Sequence, residues 1–308
     1  MASITVIGSL NMDLTVASPR MPAPGETVFG SGFLCSPGGK GANQAVAAAR
    51  LGALVSMVGC VGDDAFGREL AANLSGSGVD TRYVLKTREK PTGAAVIIVA
   101  EADNTIVVDP GANFCLTPAM IENAEDCIKA CDTVLLQMEI PPETVENAIR
   151  LAKKHGKRVL LNPAPAGKIR EDLLKMADIL TPNRSECEAL TGLPADTADQ
   201  AKAAAKHLLD LGIPCVAVTL GSEGAVFGAS GRVWHEPAFP VEAVDTTAAG
   251  DAFSAALAVA VSGGQSFEAA ADFALAAAAL TVTKRGAQRS LPAAGEVASF
   301  LTNIPAGR

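Results

Sequence analysis

Between Thr117 and Thr219 the chain changes period at regular intervals, and this limits its fold more than any other feature. Helical patterns over 117–130, 142–155 and 198–211 alternate with short apolar runs over 133–139, 157–162, 178–181 and 215–219. A further helix follows 182–186 and runs through Leu190. Strands joined by helices pair in parallel, and apolar runs without alternation belong to a sheet covered on both faces. The expected fold class is therefore α/β, a doubly wound, mostly parallel sheet flanked by helices. At 308 residues with 49% apolar and 19% charged side chains, the chain suffices for one domain with a large core. The polar strand ends Glu139, Asn162, Asn183 and Thr219 should gather along one edge, where open α/β sheets bind ligands.

Two segments break the alternation. After a first strand over 3–10, Asn11-Met12-Asp13 opens a loop; Pro19, Pro22, Pro24 and Gly25 then punctuate short β-like pieces up to Cys35. A hairpin follows over 92–99 and 105–108, joined by Glu101-Ala102-Asp103-Asn104. Residues 14–36 and 88–110 are thus expected to form a small β-sheet lid inserted in a single domain of residues 1–308. Such a lid can cover a site, and its exposed face can make a dimer. Residues 55–61 read as a strand, with Asp63 and Asp64 capping the next helix. Antiparallel strands are expected within 225–244, an alanine-rich helix over 267–281, a loop from Lys284 to Ser290 and a last short helix over 296–301.

A net charge of -8 with scattered basic residues argues against nucleic acid or an anionic membrane as partner. No apolar run reaches the length of a bilayer span, and the N-terminus lacks the basic start of a signal peptide. The 7 cysteines are dispersed without a Cys-x-x-Cys pair, and the 3 histidines form no cluster with them, so free thiols in a cytoplasmic protein without zinc are expected.

Two glycine-containing stretches carry the chemistry. Asp245-Thr246-Thr247-Ala248-Ala249-Gly250-Asp251 runs into an apolar helical segment, so its small residues leave the N–H groups of a helix end uncovered for an anion. Asp251 would repel a phosphate bound there, but makes sense as a base for a hydroxyl attacking phosphorus; the plainer alternative is a helix cap. Gly38-Gly39-Lys40-Gly41-Ala42-Asn43 also enters a helix. It fails the Walker A pattern, because Gly41 stands where Ser or Thr should follow the lysine, and it lacks the dinucleotide spacing. Its glycines allow close backbone approach to a small polar ligand, with Lys40 and Asn43 as donors; a tight turn would explain the glycines but not Asn43.

Both stretches in this order, with Pro182-Asn183-Arg184-Ser185-Glu186 between them, resemble the PfkB-type carbohydrate kinases, and the similarity covers essentially the whole chain. The resemblance implies a base at Asp251 and an anion hole from the backbone of Ala248, Ala249 and Gly250. It implies sugar contacts at Asn11, Met12, Asp13, Gly38, Gly39, Lys40, Gly41, Ala42, Asn43 and Glu139. Asp13, acceptor-only when ionised, suits two adjacent hydroxyls. Asn183 and Glu186 match an element that orders Mg²⁺ and its waters, and Thr219, Leu220, Gly221, Ser222, Glu223, Gly224 and Leu275 match the ATP site. Leu275 stands where several members carry a polar residue, so packing on adenine is expected there. Met12 is bulkier than its position implies and should bear on the sugar pocket. Asp245, Thr247, Thr281, Lys284, Gly286 and Ser290 match loops that hold an activating K⁺.

The expectation is an ATP- and Mg²⁺-dependent kinase of D-ribose, stimulated by K⁺ and dimeric through the lid. Deoxyribose, fructose or a nucleoside is the alternative acceptor. A nicotinamide oxidoreductase is disfavoured by the absent dinucleotide fingerprint, and a non-catalytic sugar-binding protein by the intact base and anion hole.

Overall fold

In the computed structural model, which describes residues 1–100, 103–167 and 169–303, the alternation becomes two sheets. The N-terminal half supplies β1 (Ser3–Ile7), β2 (Asn11–Ala17), β3 (Ser31–Gly38), β4 (Leu54–Gly62), β5 (Val79–Thr87), β6 (Gly93–Ala100) and β7 (Asp103–Asp109). The C-terminal half supplies β8 (Thr133–Leu136), β9 (Arg158–Leu161), β10 (Ile179–Leu180), β11 (Cys215–Thr219), β12 (Ala225–Ala229) and β13 (Arg232–Glu236).

The large sheet has nine strands in the order β13-β12-β11-β10-β9-β8-β1-β4-β5, parallel from β11 to β5 and antiparallel only at the β12 and β13 edge. The chain winds outward from β1 through β4 to β5, then returns to β8 on the other side of β1. This reversal leaves a crevice at the carboxyl ends of the strands. Side-chain alternation divides the core between the two faces. Leu135, Leu160 and Ala217 point into one apolar cluster, while Val134, Leu136, Val159, Leu161, Val216 and Val218 point into the other. The first cluster is closed by Ala-rich helices Ala249–Ser262 and Phe267–Val282, whose small side chains permit close packing on the sheet.

The small sheet, in the order β3-β2-β6-β7, pairs β2 with β6 in parallel and its other neighbours antiparallel. It begins three residues before the expected 14–36 segment, because Asn11-Met12-Asp13 is not a loop but the start of β2. Residues 88–92 precede β6 rather than form lid strands, and Glu101 and Ala102 lie outside the described residues. The helix expected over 117–130 is broken at Ala124 (φ -96°, ψ 10°) into Pro118–Asn123 and Glu125–Ala130. The segment read as a loop from Lys284 to Ser290 contains a helical turn, Ala287–Ser290. β5 was not anticipated, since its residues lack a clean period of two.

Candidate active site

The crevice beside β1 receives polar groups from both sheets. On β2 the pleat sends Asn11 and Asp13 to one side and Met12 to the other. Met12 is fully buried in the apolar core, so its bulk serves packing and not the pocket wall expected for it. Ala42 likewise lies in the core, and Gly41 packs so tightly that a Cβ would sit 2.6 Å from the Ser9 nitrogen. Asn113 Nδ2 donates to the Asn11 side-chain Oδ1 at 2.7 Å and is held in turn by the Leu10 backbone. Asn11 is thereby turned to present its amide N–H groups beside the acceptor Asp13.

Gly38 and Gly39 are required by close approach. A Cβ at Gly38 would fall 2.1 Å from an Asp13 carboxylate oxygen, and one at Gly39 would fall 2.6 Å from the Asn11 nitrogen. Gly39 also has φ +87° and caps the helix Lys40–Arg50, so that helix begins at Lys40, earlier than the sequence suggested. Glu139 lies in the loop after β8 and accepts from the Ser9 hydroxyl and from the Lys40 N–H at 3.2 Å.

Asp251 stands in the first turn of Ala249–Ser262, but it does not cap it: the N-cap is Ala248, in the left-handed region at φ 64°. The Asp251 carboxylate instead accepts from Asn43 Nδ2 at 2.9 Å and Gln44 Nε2 at 3.0 Å, both on the neighbouring helix. The Ala249 N–H is bonded to the Thr246 carbonyl, whereas among the described residues no protein acceptor faces the N–H of Gly250 or Asp251. A Cβ at Gly250 would meet no atom within 4 Å, so this glycine borders open space. A helix end with free donors, a bare Cα and an acid alongside can hold an anion while a proton is removed next to it.

The acids of the crevice are set by burial and by one another. Burial, reinforced by Glu139 and Asp251, pushes Asp13 up to about 7. Burial also raises Asp251, against the opposing pull of Lys40 and the amide bonds of Asn43 and Gln44. Lys40 loses charge preference to burial, but Asp251, Glu139 and Glu186 outweigh this and hold it above its usual value. The lysine is therefore a fixed cation among three carboxyl groups.

Asn183 and Glu186 form a capping box on the helix Arg184–Thr191, which by itself accounts for their spacing. The box nevertheless leaves Glu186 buried against the crevice, where burial raises its carboxyl group. Arg184 borders the polar cavity, and its guanidinium bonds to the carbonyls of Asp196 and Leu220 and to Glu223. Thr219 ends β11, and Gly221–Glu223 form a turn closed by the Leu220 N–H to the Gly224 carbonyl at 2.8 Å. Leu220, though 2% exposed, borders the polar cavity with Thr219 and Gly221, and Ser222 and Gly224 border a second, apolar one.

Two cavities meet at Thr219, Gly221, Thr246, Ala249 and Gly250. One, about 550 Å³, is lined by Lys40, Asn183, Glu186 and Asp251. The other, about 440 Å³, is walled by Phe239, Val241, Phe253, Leu275 and Ala279, a slot of the chemistry that accepts a planar aromatic base.

Behind this junction, Asp245 accepts from Thr247 N at 2.9 Å, Thr247 Oγ1 at 2.6 Å and Gly286 N at 2.8 Å. Partial burial would raise its carboxyl group, but these bonds and Arg285 hold it below the usual range. The hydroxyls of Thr281 and Ser290 donate to carbonyls of their own helices, and Lys284 reaches Glu296 at 2.7 Å. Among the described residues no three His, Cys, Asp or Glu side chains gather to hold a metal. The available donors are oxygens of isolated carboxylates, amides and carbonyls. These suit Mg²⁺, which keeps waters and uses few protein ligands, and a weakly bound monovalent ion.

Reading the sequence overlooked Gln44, Gln137, Asn113 and Ser9. A glutamine inside the small-residue run from Ala42 to Ala49 was the one available signal.

Comparison with known proteins accords with this geometry. The family described as pfkB family carbohydrate kinase matches residues 1–294. The chain is 45% identical to the ribokinase of Bacillus subtilis, over 98% of this chain and 100% of that one. It is 43% identical to the deoxyribokinase of Salmonella typhi, over 97% and 98%. The structure of Arabidopsis thaliana ribokinase complexed with ribose and ATP superposes with a TM-score of 0.92 at 36% identity, covering 99% of this chain and 100% of that one.

Proposed function

The chain belongs to the pfkB family of carbohydrate kinases, and from that premise we propose that it transfers the γ-phosphoryl group of ATP to O5 of D-ribose. The observation that carries the proposal is Asp251 and the free N–H groups of Gly250 and Asp251 at the junction of the polar and apolar cavities. Asn11, Asp13, Lys40, Asn43 and Glu139 hold the sugar. Asp251 takes the O5 proton as O5 bonds to phosphorus and the bond to the β-phosphate oxygen breaks, releasing ADP. The helix end at Ala248–Gly250 stabilises the charge on the moving group through the free N–H groups of Gly250 and Asp251, the Ala249 N–H being held by Thr246, and Lys40 adds a fixed cation. The adenine lies in the slot beside Leu275, with the backbone of Thr219, Gly221, Ser222 and Gly224 along the nucleotide. Mg²⁺, ordered through Asn183 and Glu186, would neutralise phosphate charge when bound. K⁺ would sit behind the anion hole among the loops carrying Asp245, Thr247, Thr281, Lys284, Gly286 and Ser290, mostly on carbonyls.

The deoxyribokinase at 43% identity supports a second reading, 2-deoxyribose as acceptor. Coupled ADP release over ribose, 2-deoxyribose, fructose and a nucleoside separates them. Ribose is expected to give the highest kcat/KM, with a loss when K⁺ is replaced by a large organic cation. Equal use of 2-deoxyribose would remove the role assigned to vicinal hydroxyls, and turnover of no sugar would return the chain to a binding protein.

Sugar binding should also depend on pH through Asp13. Its carboxyl group, pushed up to about 7 by burial and its acidic neighbours, accepts from two hydroxyls only when ionised. Below that pH the sugar must first expel a proton, so its KM should rise by about tenfold per pH unit as pH falls. Calorimetry in buffers of different ionisation enthalpy should show proton release on binding; a KM indifferent to pH would take Asp13 out of the sugar site.

A dimer through the small sheet is supported by its exposed apolar side chains, with Phe33 68%, Val107 66% and Ile106 51% accessible. Val107→Lys should convert a dimer to a monomer in sedimentation; a monomeric unmodified protein would end this reading. The seven free cysteines accord with a reducing, cytoplasmic setting.

A further inference from the structure

Asp251 accepts from a chain of buried amides whose orientations are fixed by a backbone carbonyl. The Thr181 carbonyl can only accept, so the Asn162 group that meets it at 2.8 Å is the NH₂. Asn162 therefore turns its oxygen toward Gln44, which donates to it from Nε2 at 3.1 Å. The same Nε2 donates its second hydrogen to Asp251 Oδ1 at 3.0 Å. The Gln44 oxygen is left to accept from Gln137 Nε2 at 2.5 Å. Every amide orientation thus follows from one carbonyl, with no free choice. Gln44 and Gln137 have no exposed surface, and Asn162 is 6% exposed.

We propose that Gln44, oriented by Asn162 and Gln137, is the positioning residue that fixes the Asp251 carboxylate plane and holds it ready to ionise. This rests on the reading of Asp251 as the base. Turning the Gln44 amide over would set its oxygen against the carboxylate and its NH₂ against that of Gln137. Three bonds resist that rotation together. Gln44 holds Oδ1 and Asn43 holds Oδ2, so the carboxylate cannot swing about its last torsion while a lone pair on each oxygen stays open. Gln44 has no exposed surface, lines neither cavity and makes its hydrogen bonds to protein groups.

The charged and titratable groups around Asp251 are Lys40, which favours its ionised form, and Asp13 and Glu186, whose carboxyl groups its charge raises; Glu139 acts on Asp13 and Lys40. Against burial, the Gln44 donor is one of three groups, with Lys40 and Asn43, that stabilise the anion. Its loss should move the acid limb of kcat to higher pH.

The test compares Gln44→Met, Gln44→Glu and Gln137→Met with the unmodified enzyme, reading kcat, sugar KM and the pH profile. Gln44→Met is expected to lower kcat on the order of 10- to 100-fold with a smaller change in KM, and to shift the acid limb upward. Gln44→Glu keeps the volume and the acceptor for Gln137 but replaces the donor with an acid, so its limb should move further. Gln137→Met, which touches no reacting group, should shift the limb in the same direction by less. An unmoved acid limb in Gln44→Glu, in protein that melts as a folded enzyme, would overturn the proposal even if kcat fell. Asp251→Asn assayed alongside keeps the two ideas apart: retained turnover there would defeat the base assignment itself, whatever the Gln44 variants do.

Discussion

Asp251→Asn is expected to lower kcat by about 10³-fold while KM for both substrates stays within about threefold. The substitution keeps the shape of the side chain but removes its capacity to take the hydroxyl proton. It also leaves one oxygen where two faced the amide donors of Asn43 and Gln44, so one of those donors loses its acceptor. Burial holds Asp251 above the ordinary aspartate range, which makes it a stronger base than an exposed carboxylate once ionised. The unmodified enzyme should therefore gain kcat as pH rises through that ionisation, and the Asn variant should have no such limb. Initial rates by coupled ADP release at saturating sugar and nucleotide decide the matter. Turnover within a few fold of the unmodified enzyme would show that the proton leaves by another route.

Gly39→Ala should damage both stability and sugar binding. At φ +87° an L side chain is strained, which costs about 1–2 kcal/mol. The new Cβ would also lie 2.6 Å from the Asn11 nitrogen and 3.0 Å from the Ser9 oxygen, both backbone atoms that cannot swing aside. Overpacking of this kind adds about 1–3 kcal/mol, so a total of about 2–5 kcal/mol is expected in urea unfolding. Because the displaced backbone carries Asn11, the sugar KM should rise more than the nucleotide KM. Unchanged stability together with an unchanged sugar KM would mean that Gly39 does not meet the Ser9–Asn11 backbone as described. Gly38→Ala probes the same contact from the other side, since its Cβ would strike the Asp13 carboxylate.

The features legible in the sequence were those encoded over a few neighbouring residues. Cys215–Thr219 was bounded correctly because an apolar run there is closed by Thr219 and a glycine turn. Of the two aspartates expected to cap the same helix, Asp64 does, accepting from the Gly67 N–H at 2.8 Å, whereas Asp63 pairs with Arg88. By contrast, Asn11-Met12-Asp13 resembled a loop because two of its three residues are polar. They form a strand because β3 and β6 pair with it on either side, supplied from residues 31–38 and 93–100. The same pairing sends Met12 into the core, which no local pattern reported.

Gln44 illustrates the limit most directly. Its partners are 93, 118 and 207 residues away along the chain, so no window of sequence contains any of them. Asn113 escaped notice in the same way, since it orients Asn11 from 102 residues away.

Local spacing and residue type were enough to derive the parallel sheet, the uncovered helix end at Ala248–Gly250 and the presence of an acid within it, because periodicity and backbone sterics act between near neighbours. The same acid could have been a cap or a base, and spacing does not distinguish them. Folding makes the distinction by placing Lys40–Arg50 beside Ala249–Ser262, so that Asn43 and Gln44 draw the Asp251 carboxylate away from its own helix. It also joins the apolar slot to the polar crevice at Gly250. Burial, the direction of a carboxylate and the meeting of two cavities are properties of packed elements and have no counterpart along the chain.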